Sequence, residues 1–148
     1  MPRYILFIKS DPHHAESDNH EPSTDNMHSF VRFNEEMAQA GVLLDAEGFK
    51  PTADSYRIKY DSSAGHEVVK GPFDVSKEDH VGGYWLIHTK TSDEALKWAK
   101  KVPLHDGEVI MRTVGYGHHE LSTHTKELKD REHKLRAQME MNRKAVDV

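Results

Sequence analysis

The side chains best suited to moving protons in this sequence are two carboxylates and one imidazole. Glu47 and Glu78 fall near the ends of predicted strands. A carboxyl group in a partly buried pocket has its pKa raised and then serves as an acid or base near neutral pH. The structural alternatives are that Glu78 caps its loop and that Glu47 pairs with a basic neighbour such as Lys77. His88 closes the apolar run Gly83-Tyr84-Trp85-Leu86-Ile87-His88, on the same pleat face as Tyr84 and Leu86. An imidazole there that opens into a cleft is a natural general base. Its alternative is a strand-end histidine bonded to the backbone or to water.

Other chemistries find less support. His13, His14 and His20 stand with Asp11 and Asp18, and His118-His119 stands near His124. Neither spacing matches a known type of metal site, so no metal is expected. The glycines form neither a dinucleotide fingerprint nor a phosphate loop with its lysine, so no cofactor is expected. No nucleophile elbow is present. The chain has no cysteine, which removes disulfides, thiolate chemistry and iron–sulfur clusters. Its formal net charge of −5 argues against a nucleic-acid partner, because phosphate contacts need a basic excess. No apolar run approaches a membrane span and no signal peptide is evident, so a cytoplasmic protein without a membrane partner is expected.

The elements that must position these residues follow from periodicity. Tyr4 to Ile8 is a short apolar run with β-branched and aromatic content, and predicts a strand covered on both faces. Asp11 to Asn26 reads as a polar loop. Met27, Phe30, Val31, Asn34, Met37 and Ala38 share one helical face, with Ser23 or Thr24 as N-cap and Gly41 at the C-terminal glycine position. Val42-Leu43-Leu44 opens a second strand. Tyr56 to Tyr60 and His66 to Val69 flank the turn Ser62-Ser63-Ala64-Gly65, and Gly71-Pro72-Phe73 breaks the pairing. After the strand 83–88, Thr91 and Glu94 have capping-box spacing for a helix burying Ala95, Trp98, Ala99 and Val102, ended by Pro103. Val109 to Val114 is the last strand. Beyond residue 118 the leucines Leu121, Leu128 and Leu135 recur every seven residues among mixed charges, which predicts a surface helix over about Leu121 to Asn142. The domain reading is 1–117 for the body and 118–148 for a helical tail.

Three ordered stretches resemble the YCII-related, DGPF-domain family. They are Phe33-Asn34-Glu35-Glu36 with Ala40-Gly41-Val42-Leu43-Leu44 and Glu47-Gly48-Phe49; Gly71-Pro72-Phe73 with Lys77-Glu78 and Gly82-Gly83-Tyr84-Trp85; and Glu94-Ala95-Leu96-Lys97-Trp98 ahead of Pro103. Glu47 and Glu78 match acidic positions of that pattern. The resemblance implies a ferredoxin-like α+β subunit that pairs sheet to sheet as a dimeric α/β barrel, and says little about chemistry. A related branch is linked to cofactor-free dehydrochlorination of a muconate-type acid, with a His/Asp pair proposed as catalytic. Lys70 stands where the motif has an aspartate, which makes the loop more basic and points towards an anionic ligand.

These readings converge on an α+β, ferredoxin-like, dimeric chain with a C-terminal helical extension. A homodimer is expected independently, because one chain has helices for only one sheet face. The first functional expectation is a small-molecule-binding protein with its pocket between sheet and helices. The second is a cofactor-independent lyase or isomerase of a small organic acid, with Glu47, Glu78 or His88 carrying protons. A third is an interaction module using the tail. The pocket is expected at the strands holding Glu47 and Tyr84 to His88, closed by Gly71-Pro72-Phe73. Phe73 and Tyr84 would wall it, and Lys77 or Arg112 would oppose a ligand carboxylate.

Overall fold

The computed structural model describes residues 1–9, 23–74, 77, 80–115 and 122–146. The chain divides into two compact units, Met1–Val114 and Gly115–Val148.

The first unit is built around an antiparallel four-stranded sheet. In chain order its strands are β1 (Arg3–Lys9), β2 (Leu43–Gly48), β5 (Gly83–His88) and β6 (Glu108–Val114), and in space they run β2-β5-β1-β6. Strands β3 (Tyr56–Asp61) and β4 (Gly65–Lys70) form a separate hairpin. Helix α1 (Thr24–Gln39) joins β1 to β2, and α2 (Ser92–Ala99) joins β5 to β6. Each helix therefore links two parallel strands, with β5 lying between β1 and β2 and β1 lying between β5 and β6.

Local signals explain the helix starts. The Ser23 hydroxyl accepts the Asn26 amide at 3.1 Å, and the Thr91 hydroxyl accepts the Glu94 amide at 3.2 Å. Glu94 reaches back to the amide of Lys90, one residue beyond the expected capping-box partner. Gly41 closes the α1 terminus with φ +76°, a conformation costly for any residue with a Cβ. Helix α2 stops at Ala99, ahead of Pro103, so Val102 is buried from the loop and not from the helix.

Strand alternation sets the core. Tyr4 and Leu6 of β1, Trp85 and Ile87 of β5, Phe33 and Met37 of α1, and Ala95 of α2 form one buried cluster. Leu6, Met37 and Ile87 are wholly inaccessible, so trimming any of them to alanine would cost about 2–5 kcal/mol. The helical stripe differs from the predicted one. Phe33 is buried, while Met27, Val31 and Ala38 are exposed, because the face that meets the sheet is centred on Phe33 and Met37. The opposite sheet face carries Ile5, Phe7, Leu86 and Ile110, only partly covered within this chain.

One irregularity decides what β2 presents. Leu43 pairs with Ile87 but Asp45 pairs with Leu86, so Leu44 is an extra residue. Without it, Asp45 and Glu47 would share the inner face of Leu43. The bulge turns both towards the open face and brings Ala46, opposite Trp85, to the inside.

In the second unit, α3 (Lys126–Ala145) begins at Thr125, whose hydroxyl accepts the Leu128 amide at 3.3 Å. None of its residues is buried. Arg131–Glu127 and Lys144–Glu140 pairs, one turn apart, line its surface. The helix starts later than the sequence predicts and runs further, while Leu121 lies outside the described residues.

Candidate ligand site

A cavity of about 410 Å³ opens between α1 and the sheet. Phe30 and Asn34 of the helix form one wall, and Ile8, Ala46 and Trp85 of the strands form the other. Its size lies within the usual range for small-molecule sites. The floor is backbone: the Gly82 amide donates to the Ile8 carbonyl at 2.9 Å, and the Phe49 amide donates to the Gly82 carbonyl at 2.8 Å. Gly83 has no room for a side chain there. A Cβ would stand 2.7 Å from the Glu47 carbonyl oxygen and 3.3 Å from the Ile8 side chain.

The walls hold one polar anchor. The buried Trp85 indole donates its N–H to Asn34 Oδ1 at 2.7 Å. Trp85 also stacks parallel to Phe30 and meets Phe33 edge-on at 5.4 Å. A polar residue among the apolar positions of a helix face must find a partner, and that was the signal in the sequence that Asn34 had a specific task. Phe30, Ala46 and Trp85 were not foreseen as lining residues, and Ala46 depends on the Leu44 bulge.

The residues singled out from the sequence separate in space. Glu47 and Tyr84 border the cavity. Glu47 is exposed and sits opposite Tyr84 on the open-face register. The Tyr84 hydroxyl donates to Asp45 Oδ2 at 2.9 Å, and the Ala46 amide donates to Asp45 Oδ1 at 2.9 Å. His88 stands at the other end of β5, four residues and roughly 13 Å from Tyr84 at the usual strand rise. Its Nε2 lies 2.7 Å from the Gly41 carbonyl, so that nitrogen carries the proton and ties β5 to the turn after α1. His88 thus takes the backbone-bonded alternative.

Phe73 is also elsewhere. Its amide donates to the hydroxyl of buried Thr52 at 2.9 Å, and the Arg57 guanidinium lies 4.7 Å above its ring. The Gly71-Pro72-Phe73 loop therefore closes on the 3-10 turn Thr52–Asp54, where a Cβ on Gly71 would collide with the Thr52 carbonyl. Lys77 is exposed and pairs with Asp74 at 3.6 Å. Arg112 is exposed on the open sheet face, opposite Ile5. Glu78 lies outside the described residues, as do His13, His14, His20 and the pair His118-His119. Among the described residues, no group of three or more histidine, aspartate or glutamate side chains is placed to hold a metal ion. No helix among the described residues is long and apolar enough to cross a membrane.

A profile of the YCII-related domain matches residues 2–114, the whole of the sheet and both of its helices. The chain belongs to the YCII-related domain family. No curated protein matches it. The YCII-related match ends at the last residue of β6, where the first compact unit also ends. The cavity, Asn34 and Trp85 therefore all belong to the YCII-related part of the chain.

Proposed function

We propose that this chain is a small-molecule-binding protein whose ligand occupies the cavity between α1 and the sheet. The observation that carries the reading is the cavity itself: apolar walls from Ile8, Phe30, Ala46 and Trp85, with one oriented amide, Asn34, among them. A few placed polar groups in an apolar concavity are the usual composition of a ligand site.

The lyase or isomerase alternative needs a proton carrier at the cavity. Of the described residues bordering it, Glu47 has the only carboxylate, and its register position faces the other side of the sheet. Binding is therefore the better-supported reading.

The fold in this proposal is ferredoxin-like, and two copies pair through their open sheet faces as a dimeric barrel. Supporting this are the strand order β2-β5-β1-β6, α1 and α2 packed on the same face, and Ile5, Phe7, Leu86 and Ile110 on the other.

The test is to fill the cavity. Ala46→Phe places a ring in the space, and a fragment screen read by thermal shift compares it with wild type. Fragments that stabilise the wild type and leave the folded variant unmoved support the site. Fragments that stabilise both equally bind elsewhere and refute it.

A further inference from the structure

The donor chemistry of the cavity narrows its ligand, given that the cavity binds one. An indole nitrogen only donates, so the atom of Asn34 that faces it must be the amide oxygen. That bond settles which way round the carboxamide sits. Asn34 lines the cavity with its oxygen already engaged, and what it retains is an NH2 group with two donors. No protein group among the described residues accepts from it.

Charge narrows the ligand further. Among the described residues lining the cavity there is no lysine, arginine or histidine. The cations expected to oppose a carboxylate are elsewhere, Lys77 on Asp74 and Arg112 on the open sheet face. Among the described residues, the ionisable groups at the rim are Glu47 and Tyr84, and Tyr84 donates to Asp45. An anion entering this space would lose its hydration without gaining a counter-ion from the described residues. A cation would meet apolar walls and the donors of Asn34, because the register position of Glu47 faces the other side of the sheet.

We infer that Asn34 selects for an uncharged, flat apolar molecule bearing a carbonyl acceptor, such as a ketone, ester or lactone, and selects against its carboxylate and amine analogues. Trp85 is the positioning residue: it holds the Asn34 oxygen so that the donors face the ligand's acceptor.

Four probes of one shape test this: acetophenone, benzoate, benzylamine and ethylbenzene. Each is titrated into the full chain while the indole N–H signals are followed by proton–nitrogen NMR. The chain has two tryptophans, and Trp85→Phe identifies the Trp85 signal by its loss. Acetophenone is expected to move the Trp85 signal at the lowest concentration. Ethylbenzene, lacking the acceptor, should bind about fivefold more weakly, as for one neutral hydrogen bond. Benzoate should bind about tenfold more weakly or worse, from desolvation without a partner. Asn34→Asp keeps an acceptor for Trp85 but replaces the donors with a second acceptor, so it should lose acetophenone and gain benzylamine. Benzoate or ethylbenzene binding as tightly as acetophenone overturns the selectivity while leaving the cavity as a binding site. No response of the Trp85 signal to any probe overturns both. The wild-type series alone decides the matter if Asn34→Asp does not fold.

Discussion

The Trp85 indole and the Asn34 carboxamide, 51 positions apart in the chain, meet at 2.7 Å and fasten α1 to the central strand β5. Trp85→Phe keeps most of the buried ring but removes the donor, leaving a half-buried amide oxygen without its partner. A loss of about 1–3 kcal/mol in unfolding free energy is expected. Urea denaturation measures it, and Asn34→Ala in the same background should add little further, because the shared bond is already gone.

Gly48 and Gly83 face each other across β2 and β5 and should respond differently to one methyl group. A Cβ on Gly48 meets nothing within 4 Å, whereas one on Gly83 comes within 2.7 Å of the Glu47 carbonyl. Gly48→Ala should leave the melting temperature nearly unchanged. Gly83→Ala should lower it by several degrees, equivalent to about 1–3 kcal/mol of overpacking. Equal behaviour of the two variants would show that the strands part without cost.

The proposed sheet-to-sheet pairing predicts a dimer that a single buried charge dissociates. Ile110, exposed on the open face opposite Phe7, is the position to use. Light scattering should find wild type as a dimer at micromolar concentration and Ile110→Lys as a folded monomer. Wild type sedimenting as a monomer would rule out the pairing.

Removing the tail tests whether the first unit needs it. The core cluster of Tyr4, Leu6, Phe33, Met37, Trp85, Ile87, Ala95 and Val102 lies wholly within Met1–Val114. A chain ending after Gly117 should therefore unfold cooperatively, with its near-ultraviolet dichroism retained. Loss of folding would make α3 part of the body's stability.

The hairpin turn has its own pH signature. The Asp61 carboxylate accepts from the Ser63 amide at 2.8 Å and the Ser63 hydroxyl at 2.7 Å. The backbone bond first, then the hydroxyl, holds its pKa below the ordinary aspartate value, against a small opposing effect of burial. A depressed folded-state pKa contributes stability above the unfolded-state value, and that contribution fades as pH falls through the folded one. Carbon-13 NMR should find Asp61 titrating below the ordinary aspartate range. Asp61→Asn should flatten the hairpin's response to acid.

Much of the secondary structure was legible locally. Ser23 and Thr91 cap their helices because a hydroxyl reaches an amide three residues on, and Gly41 turns the chain because it alone lacks a Cβ; each argument needs only near neighbours. Alternation likewise separated Trp85 and Ile87 from Tyr84, Leu86 and His88 before any partner strand was known. The site was not legible in this way. The extra residue at Leu44 carried Asp45 and Glu47 to the open face and Ala46 to the cavity, and a shift of one residue reverses every side chain beyond it. The antiparallel run of β5 placed His88 on the Gly41 carbonyl and Gly83 at the cavity floor, at opposite ends of one strand. Periodicity along a chain determines which residues share a face. Which faces meet, and in what register, depends on pairings between distant segments that only the folded sheet brings together.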